Sequence, residues 1–481
     1  MFNFETIIGI EVHVALNTKT KMFSPAKNNH NDKPNVNLHI NDLGLPGTLP
    51  QPNKEAIKKA FILAKALHMQ DVDYLLRFDR KNYFYQDLPK GFQITQQYHP
   101  FAQNGYLEVN SNNKDYHFKI QRFHIEEDTA KQYAVDDHLF LDYNRAGSPL
   151  IEIVTDPIFF NAEEVKLYLS TLRQILIHNN ISDAKMESGS MRADINLSIR
   201  PVGSKNLGTR VEIKNVNSIN NIEKAIKYET NRQIESLLIG KPIIQSTMRF
   251  DDQENKTVYM REKTSNVDYR YMREPNIIQI SLDEKWSNEI YEKNKIIFPS
   301  EIAKKLKAVG IEEQKINILL DDVHALNAFN FIASSTNNYK ETSRWLLVEL
   351  AGIMNDLNHT FEKNVKEVDL INIIELINLL NQEKINGKQA KIILEHSYKF
   401  KKKPSDLIVE LKMEQIVDPI KIEEILKPIF ANNEVKIKKD YKNRADRVES
   451  MLLGLLMKAT NGQANPGIST KIVKEMLKKY E

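Results

Sequence analysis

The chain has 481 residues, enough for about three folded units at roughly 150 residues per domain. Hydrophobic residues make up 41% and charged residues 27%, a composition that excludes intrinsic disorder. The formal net charge of +3 excludes a protein that wraps nucleic acid over its whole surface, and the lack of cysteine excludes disulfides, thiolate metal sites and cysteine nucleophiles. Apolar runs stay well short of the roughly 18 residues that span a bilayer and no basic leader is seen, so we expect a cytoplasmic protein without a membrane segment.

Hydrophobic periodicity changes along the chain and predicts its organisation. Period-two segments between Pro- and Gly-marked turns dominate the first part, which predicts a β-rich domain with an antiparallel sheet over residues 1–293. Segments of 3.6-residue period follow and predict an all-α domain over residues 294–404. The basic run 399–403 and Pro404 mark a boundary before a small all-α tail domain, residues 405–481. The predicted fold class is therefore α+β.

Four helices are predicted from their caps and apolar positions. Asn161 is an N-cap residue followed by an apolar stripe, and residues 218–238 show the same pattern behind Ser218. Residues 368–380 are apolar on nearly all sides, which predicts a fully buried helix. Residues 342–357 have one apolar face, formed by Leu346, Leu350, Ile353 and Leu357.

Acidic residues recur on the polar faces of predicted strands. In residues 7–16 the even-numbered side chains are all apolar, so Glu11 and His13 lie together on the opposite face. A run of three acids covers residues 126–128. Three further predicted strands place polar groups in the same way: Glu152 in 149–154, Asp194 in 193–200, and Glu212 with Lys214 in 210–214.

Two interpretations of these polar faces are open. For any single strand, the solvated face of an antiparallel sheet is the simpler explanation. Taken together, however, the strands concentrate carboxylates and an imidazole, which are ligands of Mg²⁺ and Mn²⁺, and several neighbouring carboxylates need a cation to offset their repulsion. The pattern therefore predicts a metal site on the polar face of a sheet.

The tail contains a basic stretch over residues 435–447. It holds six basic and two acidic residues, a local excess of +4. By pattern alone a solvated helical face explains it better than a nucleic-acid contact. Its basic residues are Lys436, Lys438, Lys439, Lys442, Arg444 and Arg447.

Long segments of the chain closely resemble the B-subunit family of the tRNA-dependent aspartyl/glutamyl amidotransferases. The similarity covers nearly the whole chain, and the matching motifs occur in the order of the family. They lie at residues 4–14, 78–85, 88–96, 142–154, 211–215, 268–271 and 458–466.

The resemblance implies an enzyme subunit with a β-rich cradle, a helical domain and a tail that binds tRNA. Such a subunit uses ATP and Mg²⁺, or Mn²⁺, to phosphorylate the side-chain carboxylate of Glu or Asp misacylated onto tRNA, and ammonia then displaces the phosphate. An amidase-type A subunit, which is the glutaminase, and a small C subunit are the implied partners in a heterotrimer. Ammonia is expected from a partner because this chain has no cysteine and no Gly-Gly-Ser-Ser run.

The resemblance also implies roles for individual residues. Glu127 is preferred to Glu126 because the family motif favours the second acid. The implied metal ligands are Glu11, His13, Glu127, Glu152, Asp194 and Glu212. Lys81, Glu127, Glu152 and Asp194 are the implied catalytic residues, Glu212 and Lys214 bind the nucleotide, and the six basic residues of the tail bind tRNA.

No structural zinc is expected. Many relatives carry four cysteines near the start, and the corresponding positions here, Ser24, Ala26, His39 and Asp42, make a poor tetrahedral zinc site. Two other functions are kept as alternatives. A tRNA-binding scaffold would not need the carboxylates, and a metal-dependent phosphohydrolase would not need the basic tail.

Overall fold

The computed structural model describes residues 4–111, 114–214, 216–262, 268–460 and 462–480. Asn215 and Asn461, which belong to two of the motifs above, lie outside the described residues. The chain divides into two compact units, Met1–Ile302 and Ala303–Glu481. The first unit combines a large sheet with helices and the second is helical, in agreement with the α+β class. The division into three domains stays a prediction.

The first unit contains the strands, which follow the alternating segments of the sequence. In chain order they are β1 (Phe4–Ala15), β2 (Asp71–Val72), β3 (Leu75–Leu76), β4 (Asp79–Asn82), β5 (Phe92–Thr95), β6 (Ala102–Ser111), β7 (Lys114–Glu127), β8 (Lys131–Val135), β9 (His138–Asp142), β10 (Pro149–Thr155), β11 (Met191–Pro201), β12 (Val211–Lys214), β13 (Ser246–Asp251), β14 (Lys256–Glu262), β15 (Met272–Arg273) and β16 (Ile280–Ser281).

The main sheet runs in the order β14-β13-β12-β11-β1-β10-β7-β6-β2. Its described pairings are antiparallel, apart from β12 and β13, which pair in parallel. The sheet, predicted to be antiparallel, is therefore mixed, with this one parallel pairing among the described strands. A helix connects these two strands, and such a crossover returns the chain in the same direction. A smaller sheet has the order β15-β4-β5.

Helices of the first unit cover the apolar face of the main sheet. They are α1 (Lys54–Ala66), α2 (Ala162–His178), α3 (Ile219–Leu238) and α4 (Glu284–Lys293), which all contribute residues to the main core. A further helix, α5 (Pro299–Ala308), begins in the first unit and ends in the second. The predicted caps of α2 and α3 are confirmed, since Asn161 accepts a hydrogen bond from Glu164 N (2.9 Å) and Ser218 from Asn221 N (3.1 Å). Apolar residues of β1 and α2, such as Val12 and Leu169, share one core, which leaves the other face of β1 to polar groups.

The second unit is built from helices. They are α6 (Glu313–Asp321), α7 (Val323–Thr336), α8 (Tyr339–Arg344), α9 (Ala351–Asp356), α10 (Phe361–Asn364), α11 (Glu367–Asn381), α12 (Gly387–Phe400), α13 (Pro404–Glu410), α14 (Pro419–Ala459) and α15 (Pro466–Leu477). In the part of the chain that is described, none of the helices has both the length and the hydrophobicity needed to cross a membrane.

A π-helical segment, Trp345–Leu350, interrupts the helix predicted over residues 342–357. Leu346 and Leu350 are buried as predicted, but Met354 then takes the buried position and Leu357 is 38% exposed. The prediction is wrong beyond Leu350 because a π-helical turn contains more residues than an α-helical turn, which rotates the following side chains around the axis.

Helix α11 is not buried on all sides, contrary to prediction. Val368 and Ile371 are exposed, whereas Asp369 and Asn372 are buried. The two buried polar groups have partners, since Lys401 Nζ donates to the Asp369 carboxylate (2.6 Å) and Asn372 donates to a backbone carbonyl (3.2 Å). The inward face of this helix therefore combines apolar residues with two polar groups that are satisfied by hydrogen bonds.

A buried ion pair anchors the segment between β1 and α1. Lys21 is fully buried, and its Nζ lies 3.3 Å from Oδ2 of Asp42, which also accepts a hydrogen bond from His39 N (2.9 Å). Burial lowers the pKa of Lys21, and the charge of Asp42 opposes that shift. A desolvated ion pair thus lies at the centre of the segment between β1 and α1.

Lys21→Met is expected to destabilise the first unit by about 3–5 kcal/mol, because it leaves a buried carboxylate without its partner. The double variant Lys21→Met/Asp42→Asn should recover a large part of the loss. Lys27→Met, which removes the exposed partner of Asp32, is the control and should change little. Urea unfolding followed by Trp286 fluorescence, in a Trp345→Phe background, measures all three. Equal effects of Lys21→Met and Lys27→Met would contradict the account.

Candidate active site

Strand register brings the predicted polar residues together on one face of the main sheet. Glu11 of β1 lies opposite Asp194 of β11, and His13 lies opposite Glu152 of β10. Directly opposite side chains in neighbouring strands are in contact distance. Because Val12 and its alternate neighbours are buried in the core, these polar groups share the opposite face.

One cluster on this face, termed the histidine group, consists of His13, Glu126 and Glu152. One ligand atom from each lies within 4.8 Å of the others. His13 Nε2 is 3.3 Å from Glu152 Oε2, and His124 Nε2 is 3.4 Å from the same oxygen. Burial alone would raise the pKa of Glu152, but His124 and His13 hold it well below its ordinary value. Thr95 of β5 donates to Glu126 Oε2 (3.1 Å), which fixes that carboxylate.

His124 borders the histidine group, and its surroundings favour the protonated imidazole. Burial opposes its charged form, but the negative charge of Glu152 and hydrogen bonds to Glu126 and Glu152 outweigh burial and raise its pKa to about 9. The imidazolium therefore offsets part of the carboxylate charge.

A second cluster, termed the carboxylate group, consists of Glu11, Asp194 and Glu212, again with ligand atoms within 4.8 Å of one another. Lys214 Nζ lies 2.7 Å from Asp194 Oδ2 and 3.5 Å from Glu212 Oε1. Burial raises the pKa of Glu11, and the charges of Glu152 and Asp194 add to the shift. The two groups are thus close enough to interact electrostatically.

Both groups have the chemistry of a divalent-cation site. The carboxylate group offers only oxygen ligands, which Mg²⁺ and Mn²⁺ prefer, and the histidine group adds one imidazole. Asn196 donates to Glu11 Oε1 (2.9 Å), while its own buried Oδ1 has no hydrogen-bond partner among the described residues. The raised pKa of Glu11 and this unpartnered acceptor both fit a site for a divalent cation.

The choice of Glu127 over Glu126 does not agree with this geometry. The carboxylate of Glu127 points to the other side of β7, where it accepts hydrogen bonds from Lys90 Nζ and from Ile94 N (2.9 Å). Consecutive strand residues face opposite ways, so only one of the two acids can join His13. The spacing of His124 and Glu126, two residues apart, is the signal in the sequence that places both on the face of His13, and His124 was not among the predicted site residues.

The other predicted site residues lie outside the two groups. Lys81 is on β4, with its ammonium over the rings of Tyr269 (4.7 Å) and Tyr83 (5.7 Å). The six basic tail residues are exposed on α14, where Arg444 has non-helical backbone angles at a kink. Lys438 pairs with Glu434 (2.7 Å). Exposure is compatible with tRNA contact and with a solvated face alike.

Comparisons with known proteins identify the same family as the sequence motifs. Residues 6–288 match the family model described as the GatB/GatE catalytic domain, and residues 327–477 match that of the GatB domain. The B subunit of the aspartyl/glutamyl-tRNA(Asn/Gln) amidotransferase of Mycoplasma pneumoniae is 48% identical over 99% of this chain and 98% of its own length. The protein of the same name from Ureaplasma urealyticum is 46% identical over the full length of both chains.

Glu126→Gln should weaken Mn²⁺ binding at least about tenfold, because weakening even outer-sphere support of a metal commonly costs that much. Glu127→Gln is the matched variant from the other side of β7 and should leave Mn²⁺ affinity near that of the wild type. Isothermal titration of the full chain with Mn²⁺ makes the comparison. Loss of affinity in Glu127→Gln with full affinity in Glu126→Gln would reverse our assignment.

Proposed function

Because the chain belongs to the B-subunit family of the aspartyl/glutamyl-tRNA amidotransferases, we propose that it converts Glu or Asp esterified to tRNA into Gln or Asn. The observation that carries the proposal is the pairing of the histidine group and the carboxylate group on one sheet face. A scaffold that only binds tRNA has no use for these carboxylates. The relatives are each named as the B subunit of an amidotransferase, so the enzyme to which they belong has more than one subunit.

The proposed reaction has two steps. An oxygen of the substrate carboxylate attacks the terminal phosphorus of ATP, the bond to the leaving oxygen of ADP breaks, and an acyl phosphate forms. Ammonia then attacks the acyl carbon, and phosphate leaves with the electron pair of its bond. The first step is needed because a carboxylate has no adequate leaving group at neutral pH.

Phosphoryl transfer requires positioning and neutralisation of charge rather than covalent participation by the protein. Bound Mg²⁺ would supply the electrophilic charge on the phosphate oxygens. The histidine group and the carboxylate group are the residues that would hold it. Lys214, whose ammonium contacts Asp194 in the carboxylate group, is proposed to bind a phosphate of ATP, and Lys81 is proposed to orient the substrate.

Ammonia is proposed to come from a partner. The chain has no cysteine and lacks the serine-rich motif of amidases, so it offers no recognisable nucleophile for glutamine hydrolysis. We therefore include an amidase-type A subunit and a small C subunit in the proposed heterotrimer, with the basic tail of this chain as a tRNA contact.

Asp194→Asn and Glu152→Gln should each lower ATP-dependent amidation of misacylated tRNA by about 10² to 10³. Both exchanges are nearly isosteric and each removes one charged oxygen from an electrostatic centre. Glu5→Gln is the control on the same sheet, since Glu5 pairs with Arg200 (2.7 Å) away from both groups. Near-normal turnover of both site variants in the assembled enzyme would remove them from the site.

Neutralising three exposed tail lysines, in Lys436→Gln/Lys439→Gln/Lys442→Gln, should weaken tRNA binding and flatten its salt dependence. The slope of log affinity against log salt should change by roughly 0.7 to 0.9 for each phosphate that the protein no longer neutralises. The control removes three exposed lysines of α5, Lys304, Lys305 and Lys307. A salt titration of tRNA binding is the measurement, and equal slopes for both triple variants would make the basic tail a solvated face.

A further inference from the structure

Five tyrosine rings form a continuous row in the first unit. Neighbouring ring centroids along this tyrosine row are 5.7, 5.9, 5.9 and 6.3 Å apart, and neighbouring planes are steeply inclined. The two end rings are 55% and 60% exposed and the inner three are partly buried. In spatial order the row consists of Tyr85, Tyr83, Tyr269, Tyr271 and Tyr98.

The fold assembles this row from segments that are distant in the sequence, and holds it rigidly. Arg80 and the fully buried Glu274 form two hydrogen bonds (2.6 and 3.0 Å) that fasten β15 to β4. Asn82 N donates to Tyr269 O (2.9 Å) and its side chain donates to Arg270 O (2.7 Å). These hydrogen bonds fix the segments that carry the rings before any ligand arrives, which lowers the entropic cost of binding.

The tyrosine row lies beside the histidine group. Thr95 of β5 contacts Glu126, and β15 is two strands from β5 in the small sheet, a separation of about 10 Å. Burial raises the pKa of Tyr271, and the charges of Glu152 and Glu126 add to that shift, so this ring is within electrostatic range of the site.

Cationic side chains border the same surface. The ammonium of Lys81 lies over two rings of the row, and Arg270 and Arg273 are exposed next to it in sequence. Exposed aromatic rings combined with basic side chains are how proteins bind unpaired nucleotides, since a base can stack on a ring and each phosphate needs a positive charge. An apolar protein partner would not require these cations.

We propose that an exposed ring at one end of the tyrosine row stacks on the unpaired adenine at the aminoacylated end of the tRNA. This assignment rests on the proposed function. The amino acid is esterified to the terminal ribose, so few bonds separate the terminal adenine from the carboxylate that must reach the histidine group. The tyrosine row, about two strands from the histidine group, is within reach of that base. The adenine of ATP would stack on a ring in the same way. Separate binding measurements with tRNA and with an ATP analogue therefore show which adenine the row binds.

The test measures equilibrium binding of the full chain to tRNA with and without its terminal adenosine. For the wild type, removing that nucleotide should lower affinity by about tenfold or more. In Tyr85→Leu/Tyr98→Leu the two tRNAs should bind within about twofold of each other, whereas Tyr85→Phe/Tyr98→Phe should retain the discrimination. Tyr259→Leu, at an exposed ring on β14, is the control and should behave as wild type.

Binding of a non-hydrolysable ATP analogue with Mg²⁺ is measured on the same variants and should be unchanged. Weaker analogue binding in the double Leu variant, with tRNA discrimination intact, would assign the row to ATP and overturn the proposal. Wild-type chain that binds both tRNAs equally would also overturn it and leave the proposed function standing. Discrimination that survives in the double Leu variant would overturn the proposal as well, and accompanying loss of the partner subunits on purification would make the row a protein interface. A wild-type chain that binds neither tRNA would contradict the proposed function itself.

Discussion

The register of β1 between β10 and β11 is the constraint on which the rest of the site depends. It sets Glu11 opposite Asp194 and His13 opposite Glu152. These two strand alignments therefore position two of the three residues in each cluster. A slip of one residue would turn these side chains into the core and bring Val12 to the polar face. The apolar face of β1, packed with α2 in the main core, makes such a slip costly, and hydrophobic packing thereby specifies the positions of charged groups.

Charge balance is the second requirement of this face. Lys214 and His124 neutralise part of the carboxylate charge, yet Glu11 keeps a raised pKa because burial and two neighbouring acids act on it together. Divalent cations would offset the remainder. The same electrostatic arrangement suits phosphoryl transfer, in which negative charge collects on oxygens that the protein must hold in place. The carboxylates of this face and the proposed phosphoryl transfer therefore both require positive charge to offset negatively charged oxygens.

Much of this arrangement could be predicted from sequence because strand alternation is local information. The period of two placed Glu11, His13, Asp194 and Glu212 on one face, and the N-caps at Asn161 and Ser218 fixed two helix starts. The choice between Glu126 and Glu127 followed the family motif rather than the alternation in β7, and the structure groups Glu126 with His13. The π-helical segment at Trp345, the parallel pairing of β13 and the tyrosine row depend on tertiary contacts, which periodicity does not encode. The roles of the basic tail residues stay a prediction.

The central claim is that the histidine group and the carboxylate group hold divalent cations on one sheet face. Anomalous diffraction from crystals of the full chain grown with Mn²⁺ tests it most directly, because the signal locates each ion without reference to activity. We predict one ion coordinated by His13, Glu126 and Glu152, and a second by Glu11, Asp194 and Glu212. An ion bound by Glu127 instead, or empty groups in crystals that bind Mn²⁺ elsewhere, would contradict the account.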